Sequence, residues 1–194
     1  DARVYTAAIH RHGKQRHWQK ALAVLRGLQE EGPAPGEFAY GAAIGACGRA
    51  ARWAEAVALS ESMRSAEVLP NTISFNATIS ACERAGRWEL ALHSFCSMRL
   101  WKVSPSVVSF GTAISACEKG LFWEGVLAIL ADMQYAAVEP NAIVGSAGIT
   151  VCHKGHQWER ALDLFQALKK GAVNPDVVMY NATISACETG HHWT

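Results

Sequence analysis

The chain has 194 residues, of which 50% are hydrophobic and 18% are charged, and its 18 basic and 17 acidic residues leave a net charge of +1. Disordered chains have few apolar residues and a high net charge, and collagen-like chains need glycine at every third position, so this composition excludes both classes. No apolar run is long enough to cross a membrane, and six cysteines in a chain of this length predict reduced thiols rather than a disulfide scaffold.

Residues recur along the whole chain at intervals of 35. The residues that recur are the tryptophans Trp18, Trp53, Trp88, Trp123, Trp158 and Trp193, the prolines Pro35, Pro70, Pro105, Pro140 and Pro175, and the cysteines Cys47, Cys82, Cys117, Cys152 and Cys187. The period predicts a single repeat array, 1–194, with complete repeats at 2–36, 37–71, 72–106, 107–141 and 142–176 and a partial repeat at 177–194. Because the array begins and ends within a repeat, we expect it to be an excerpt of a longer one.

The third repeat indicates which elements each repeat forms. Phe75, Ile79 and Cys82 lie at i, i+4 and i+7, which predicts an amphipathic helix, helix A. A turn at Gly86 follows, and a second apolar stripe that opens at Trp88 predicts helix B. Two short helices cannot bury their apolar faces alone, so the hairpins must stack into a superhelix, whose hand the periodicity leaves open.

The fourth position of each repeat is aromatic except in the fifth repeat, where Gly145 stands. The aromatic residues are Tyr5, Tyr40, Phe75, Phe110 and Tyr180. We expect Gly145 to leave a void that its neighbours must fill. Glycine within a helix also destabilises it by about 0.5–1 kcal/mol relative to alanine.

A basic residue occupies the thirteenth position, at the end of helix A, in all five complete repeats. These residues are Lys14, Arg49, Arg84, Lys119 and Lys154, and the neighbouring acids Glu83, Glu118 and Glu188 are interpreted as a solvated edge. Cations in the last turn stabilise a helix by interacting favourably with its dipole, which is one explanation of this basic row. The other is a linear polyanion, which needs one positive side chain for each step of its backbone.

Two further positions carry small residues, either polar or glycine, in every complete repeat. The fifth position holds Thr6, Gly41, Asn76, Gly111, Ser146 and Asn181, and the last position holds Gly36, Asn71, Ser106, Asn141 and Asp176. The residues at the fifth position are poor helix formers inside a predicted helix, whereas those at the last position are preferred N-caps. Variable polar groups on a nearly constant framework suggest recognition of a ligand, and this role is compatible with capping.

The framework resembles the pentatricopeptide repeat family over the whole chain. It runs Val/Ile-Ser-Phe-Asn-Ala-x-Ile-Ser-Ala-Cys-Glu-Lys/Arg, then Gly-Arg-Trp-Glu-x-Ala-Leu-x-x-Phe, and ends near Pro-Asn or Pro-Asp. The expected fold class is all-α, a right-handed α-solenoid of stacked helix-turn-helix hairpins with five complete 35-residue repeats and a partial sixth. The resemblance implies sequence-selective binding of single-stranded RNA, one base per repeat, in organellar RNA processing, stability, editing or translation. It also implies a plastid or mitochondrial location, although this stretch contains no targeting segment.

The family's code assigns base recognition to the fifth and last residues of each repeat together. It implies the pairs Thr6/Gly36, Gly41/Asn71, Asn76/Ser106, Gly111/Asn141 and Ser146/Asp176, followed by Asn181, and the target 5′-R-A-C-A-G-Y-3′. Residues at the second position would sandwich the bases, and Phe38, Ile73, Val108, Ile143 and Val178 fit this role, whereas Arg3 departs from it. The basic row, Lys14, Arg49, Arg84, Lys119 and Lys154, would contact phosphates.

The other recurring residues predict structure rather than chemistry. The cysteines are assigned to the core, and the tryptophans to hairpin packing rather than base stacking. His153 with His156, and His191 with His192, lack companion ligands, so no metal and no cofactor are predicted. No catalytic set can be assembled, which predicts that the chain is not an enzyme. The alternative function is a protein–protein interaction scaffold of the tetratricopeptide-like α-solenoid type, and other RNA-processing proteins are further expected partners.

Overall fold

The structure is a computed structural model that describes residues 2–171 and 173–189. Within these residues the chain forms eleven α-helices and no strand. The helices are α1 (Ala2–Lys14), α2 (Trp18–Glu31), α3 (Glu37–Arg49), α4 (Trp53–Ser65), α5 (Thr72–Arg84), α6 (Trp88–Leu100), α7 (Val107–Gly120), α8 (Trp123–Tyr135), α9 (Ala142–Lys154), α10 (Trp158–Lys170) and α11 (Val177–Thr189). Odd-numbered helices are the predicted A helices and even-numbered ones the B helices, so the all-α repeat fold is confirmed. Trp193, His191 and His192 lie outside the described residues.

Tryptophan is the first residue of every described B helix, and a left-handed residue precedes each of these helices. The left-handed residues are Arg16, Ala51, Gly86, Leu121 and His156, which share one position in the repeat. The turn is closed by the backbone N–H of the next residue, as when Arg87 donates to the Cys82 carbonyl at 2.9 Å. The sequence predicts glycine at this turn in the third repeat. The other complete repeats hold non-glycine residues in the same conformation, which costs about 1–2 kcal/mol for each residue.

The chain divides into two compact units, Asp1–Pro105 and Ser106–Thr194. In the N-terminal unit α1 packs on α3 and α3 on α5, and in the C-terminal unit α7 packs on α9 and α9 on α11. The helices α2, α4, α8 and α10 each pack against the A helix of their own hairpin and against the next A helix. Each unit therefore consists of a layer of A helices beside a layer of B helices.

Four of the five repeated cysteines lie in the core between these layers, and Cys187 is half-buried. Cys47, Cys82, Cys117 and Cys152 are fully buried, and the described cysteines are free thiols. Burial is the main cause that raises the pKa of Cys47, Cys82 and Cys152 to about 11, because the thiolate loses its hydration. The core assignment of these four residues is confirmed.

The space predicted to be empty at Gly145 is filled by side chains from the neighbouring helices. A Cβ built on Gly145 would stand 2.6 Å from Met179 Cε and 2.8 Å from Leu168 Cδ1. Gly145 is itself buried, and Leu168 and Met179 belong to the core of the C-terminal unit. The expectation that neighbours fill the missing aromatic volume is confirmed.

Candidate nucleic-acid interface

The second residue of each repeat lies in the first turn of an A helix and is exposed. The exposed fractions are 75% for Phe38, 67% for Ile73, 63% for Val108, 74% for Ile143 and 59% for Val178. Arg3 occupies the equivalent position of the first repeat and is also exposed. Large apolar side chains are normally buried, so their regular exposure on one turn of successive A helices indicates a binding surface.

In the N-terminal unit an open cavity of about 450 Å³ lies between α1 and α3. Arg3 and Phe38, the second residues of adjacent repeats, form part of its lining. Thr6 and Gly36, the first predicted pair, line the same cavity. The structure thus brings together the first pair, Phe38, which is assigned to sandwich a base, and Arg3, which departs from that assignment.

A second open cavity, of about 390 Å³, lies along α7 and α9 in the C-terminal unit, and no residue at the last position of a repeat lines it. The second residues Ile143 and Val178 line it, together with the fifth residues Gly111 and Ser146. The Ser146 hydroxyl donates to the Ile143 carbonyl at 3.1 Å, so its position is set by its own helix. This cavity repeats the combination seen in the N-terminal unit, apolar side chains next to small polar positions.

The remaining fifth residues also lie on A helices. Gly41 in α3 and Asn76 in α5 are half-buried, and Asn181 in α11 is exposed. A Cβ on Gly41 would meet no atom within 4 Å, so packing does not require glycine there. Because glycine also weakens a helix, neither packing nor helix propensity accounts for this residue.

The residues at the last position cap the following A helix. The Asn71 Oδ1 accepts from the Ser74 backbone N–H at 2.8 Å, and the Asn141 Oδ1 accepts from Val144 at 2.9 Å. The same bond is made by Ser106 to Ser109 at 3.3 Å and by Asp176 to Met179 at 2.8 Å, whereas Gly36 has no side chain to offer. Capping therefore fixes each of these side chains beside the start of a helix, and a second polar contact remains chemically available to an amide or carboxylate.

The basic row lies in the last turn of α1, α3, α5, α7 and α9, as predicted, and two of its members bind the preceding repeat. Arg49 donates from Nε to the Gly13 carbonyl at 3.0 Å. Lys154 forms a 2.8 Å ion pair with Glu118 at the surface, so this acid of the predicted solvated edge also has a partner in the next repeat. The signal in the sequence was the spacing of 36 residues between Glu118 and Lys154, one residue longer than the repeat.

The tryptophan rings contribute to contacts between repeats. The Arg52 guanidinium lies 4.6 Å from the centre of the Trp18 ring, and Arg87 lies 5.0 Å from that of Trp53. Arginine over an indole face is a favourable cation–π arrangement. These contacts agree with the predicted packing role of the tryptophans.

In the described part of the chain, His153 and His156 do not belong to any group of three or more His, Cys, Asp or Glu side chains placed to hold a metal. None of the helices described above combines the length and the apolar character that crossing a bilayer requires.

Three family models of the pentatricopeptide repeat match the chain. A PPR repeat model matches residues 3–33, the PPR repeat family model matches 70–119, and the pentatricopeptide repeat domain model matches 128–189. Together they cover well over half of the sequence. A comparison with curated proteins finds no match.

Solved structures with the same fold include the pentatricopeptide repeat protein PPR10 from maize, which is 24% identical with a TM-score of 0.75 over 99% of this chain and 28% of its own length. PPR10 in complex with an 18-nt psaJ RNA element is 27% identical with a TM-score of 0.77 over 94% of this chain and 27% of that one. Nuclear proteinaceous RNase P 2 from Arabidopsis thaliana is 11% identical, with a TM-score of 0.83 over 96% of this chain and 42% of its own, and shows the fold alone. The chain thus spans little more than a quarter of the length of PPR10.

Proposed function

We propose, since the chain belongs to the pentatricopeptide repeat family, that it binds single-stranded RNA through its A helices, one base per repeat. The observation that carries the proposal is the cavity shared by Arg3, Thr6, Gly36 and Phe38. When a base stacks between two exposed side chains, its faces are removed from contact with water, while its polar edge faces small hydrogen-bonding groups. The PPR10 structure solved with an RNA element, 27% identical to this chain, supports the same partner.

The base at each repeat is assigned to the pair formed by the fifth and last residues. Under the family's code, glycine with asparagine favours adenine, Asn76 with Ser106 favours cytosine, and Ser146 with Asp176 favours guanine. Asn181 favours a pyrimidine, and the first pair a purine. The proposed target is therefore 5′-R-A-C-A-G-Y-3′, bound from the N-terminal to the C-terminal repeat.

The biological role that fits this binding is organellar RNA processing, stability, editing or translation, in a plastid or a mitochondrion. The repeats would act by occupying a transcript segment, and would either block other proteins from that segment or present it to them. No catalytic group needs to take part in that action, and the chain is proposed to bind RNA without transforming it.

Fluorescence anisotropy with labelled 5′-AACAGU-3′ RNA in a neutral flank tests the proposal, against a scrambled RNA and the matching duplex at two salt concentrations. We expect tighter binding to the designed single strand than to either control, weakened by salt. Binding that ignores the sequence would reduce the function to polyanion binding. Absence of binding to every RNA would contradict the proposal and favour the protein-interaction scaffold.

A matched pair of variants connects the binding to the surface described above. Phe38→Ser removes a sandwiching side chain and is expected to weaken binding about five- to 150-fold, since stacking on an aromatic side chain contributes about 1–3 kcal/mol per base. Leu100→Ser removes a side chain that is 83% exposed on helix B, away from the A helices, and should leave affinity unchanged. Equal effects of the two substitutions would contradict the assignment of the surface.

A further inference from the structure

The side chain of Asn71 is held by two groups at once. Its Oδ1 accepts from the Ser74 backbone N–H at 2.8 Å, and its Nδ2 donates to Glu37 Oε1. Glu37 is the first residue of the same repeat and lies in the first turn of α3. The amide is therefore fixed in one orientation, with one of its two N–H groups directed at a carboxylate.

The fourth repeat provides an internal comparison with the second. Both repeats have glycine at the fifth position and asparagine at the last. Asn141 caps its helix as Asn71 does, through a 2.9 Å bond from Val144. The residue equivalent to Glu37 is Val107, whose side chain has no polar atom. Two repeats with the same pair thus differ in the group beside the asparagine.

A carboxylate next to the pair changes which base edge is favoured. It accepts hydrogen bonds and cannot donate them, and bonds to it are stronger than bonds between neutral groups. The Watson–Crick edge of guanine presents two adjacent donors, N1–H and the N2 amino group. The edge of adenine presents one amino donor and the N1 lone pair, which a carboxylate repels.

We propose that Glu37 is a specificity-determining residue, which lowers the preference of the second repeat for adenine over guanine relative to that of the fourth repeat. The inference rests on the proposed function, because it concerns the base bound at the pair Gly41/Asn71. It predicts that identical pairs in one chain have unequal preferences, and that the difference depends on one side chain outside the pair.

The test measures binding of four RNAs that carry adenine or guanine at the second or the fourth base of the target. In the unaltered chain, discrimination against guanine should be at least about threefold weaker at the second base than at the fourth. Glu37→Val should restore discrimination at the second base, and Val107→Glu should weaken it at the fourth. Glu89→Val, which removes an exposed acid from the first turn of α6, is the control for net charge and should change neither ratio.

The outcomes separate this inference from the proposed function. Single-stranded RNA binding with equal discrimination at both bases, or a ratio unaffected by Glu37→Val and Val107→Glu, would overturn the role of Glu37 alone. Absence of RNA binding by the unaltered chain would overturn both. Circular dichroism of each variant checks that the helices are retained, and the weaker discrimination expected of Val107→Glu at the fourth base does not depend on how well the Glu37 variant folds.

Discussion

Glycine has opposite explanations at two positions of this chain. At Gly145 the missing side chain is required by packing, because Met179 and Leu168 occupy the space that a Cβ would enter. At Gly41 a Cβ would meet nothing within 4 Å, so the helix tolerates glycine for a reason outside the packing. The proposed reason is space for a base edge, since a bulky side chain there would stand between the base and Asn71.

Gly145→Phe tests the packing explanation. Phenylalanine restores the aromatic residue of the repeat, yet we expect the free energy of unfolding to fall by about 1–3 kcal/mol because the site is already full. Combining it with Met179→Ser, the residue found at the equivalent position as Ser74 and Ser109, should recover most of the loss. Urea denaturation measures both variants, and a stabilising effect of Gly145→Phe alone would contradict the packing seen here.

The sequence predicted that something must fill the space at Gly145 but not which side chain does. The break in the aromatic series was visible, whereas the compensating Met179 lies 34 residues later on another helix. The signal lies at the third position of each repeat, where Met179 stands in the sixth. The second to fifth repeats have smaller residues there, namely Ala39, Ser74, Ser109 and Val144. This difference points to Gly145 only because the third position of one repeat packs against the fourth position of the preceding repeat. That contact depends on the register of helix stacking, which the sequence does not show.

Between helices, the approach of α1 to α3 depends on small residues and on Arg49. Arg49 Nε donates to the Gly13 carbonyl at 3.0 Å. A Cβ on Gly13 would overlap the Arg49 guanidinium and stand 2.9 Å from the Ala46 Cβ. The guanidinium could move aside, but the Ala46 Cβ is bonded directly to the backbone of α3 and can move only with that helix.

Gly13→Ala is therefore expected to destabilise the chain by about 1–3 kcal/mol, because the two helices must separate. Gly27→Ala is the matched control, since Gly27 lies within α2 and a Cβ there would meet no atom within 4 Å. That control should stabilise by up to about 1 kcal/mol through helix propensity. Thermal unfolding of the two variants measures the difference, and shifts of the same sign would contradict the close contact.

The elements themselves were largely predictable from sequence. Apolar spacing located the A helices, and the tryptophan series located the start of each described B helix. The left-handed turns at Arg16, Ala51, Leu121 and His156 were not predictable from residue type, because none of these residues favours positive φ as glycine does. The repeat position, shared with Gly86, carries the information instead, and backbone bonds that close the helix end hold the conformation.

For the molecule as a whole, the nearly balanced charge means that RNA affinity depends on where the basic row is directed. Five phosphate contacts with a single strand would give a slope of log affinity against log salt of about −3.5. Arg49 and Lys154 are engaged with the preceding repeat, so we expect a shallower slope. The presence of the row was predictable from sequence, but its cross-repeat partners depend on helix stacking.

Glu118→Gln tests whether the Lys154–Glu118 ion pair keeps Lys154 from binding an RNA phosphate. Without the carboxylate, Lys154 is available to a phosphate, and the salt slope should steepen by about 0.7. Glu124→Gln removes an exposed acid from the first turn of α8 and should leave the slope unchanged. Affinity measured across a salt titration separates the two variants, and an unchanged slope for Glu118→Gln would exclude Lys154 as a phosphate contact.

The central claim, that the paired residues recognise bases one repeat at a time, is tested most directly by Ser146→Asn. Ser146 lines the cavity of the C-terminal unit and is half-buried, so asparagine can enter with little change in stability. Affinity for RNAs with each of the four bases at the fifth position of 5′-AACAGU-3′ is the measurement, and the fourth base is the internal control. The account predicts that the preferred fifth base moves from guanine to a pyrimidine while the preference at the fourth base stays as it was. An unchanged preference for guanine, or an equal change at both bases, would contradict it.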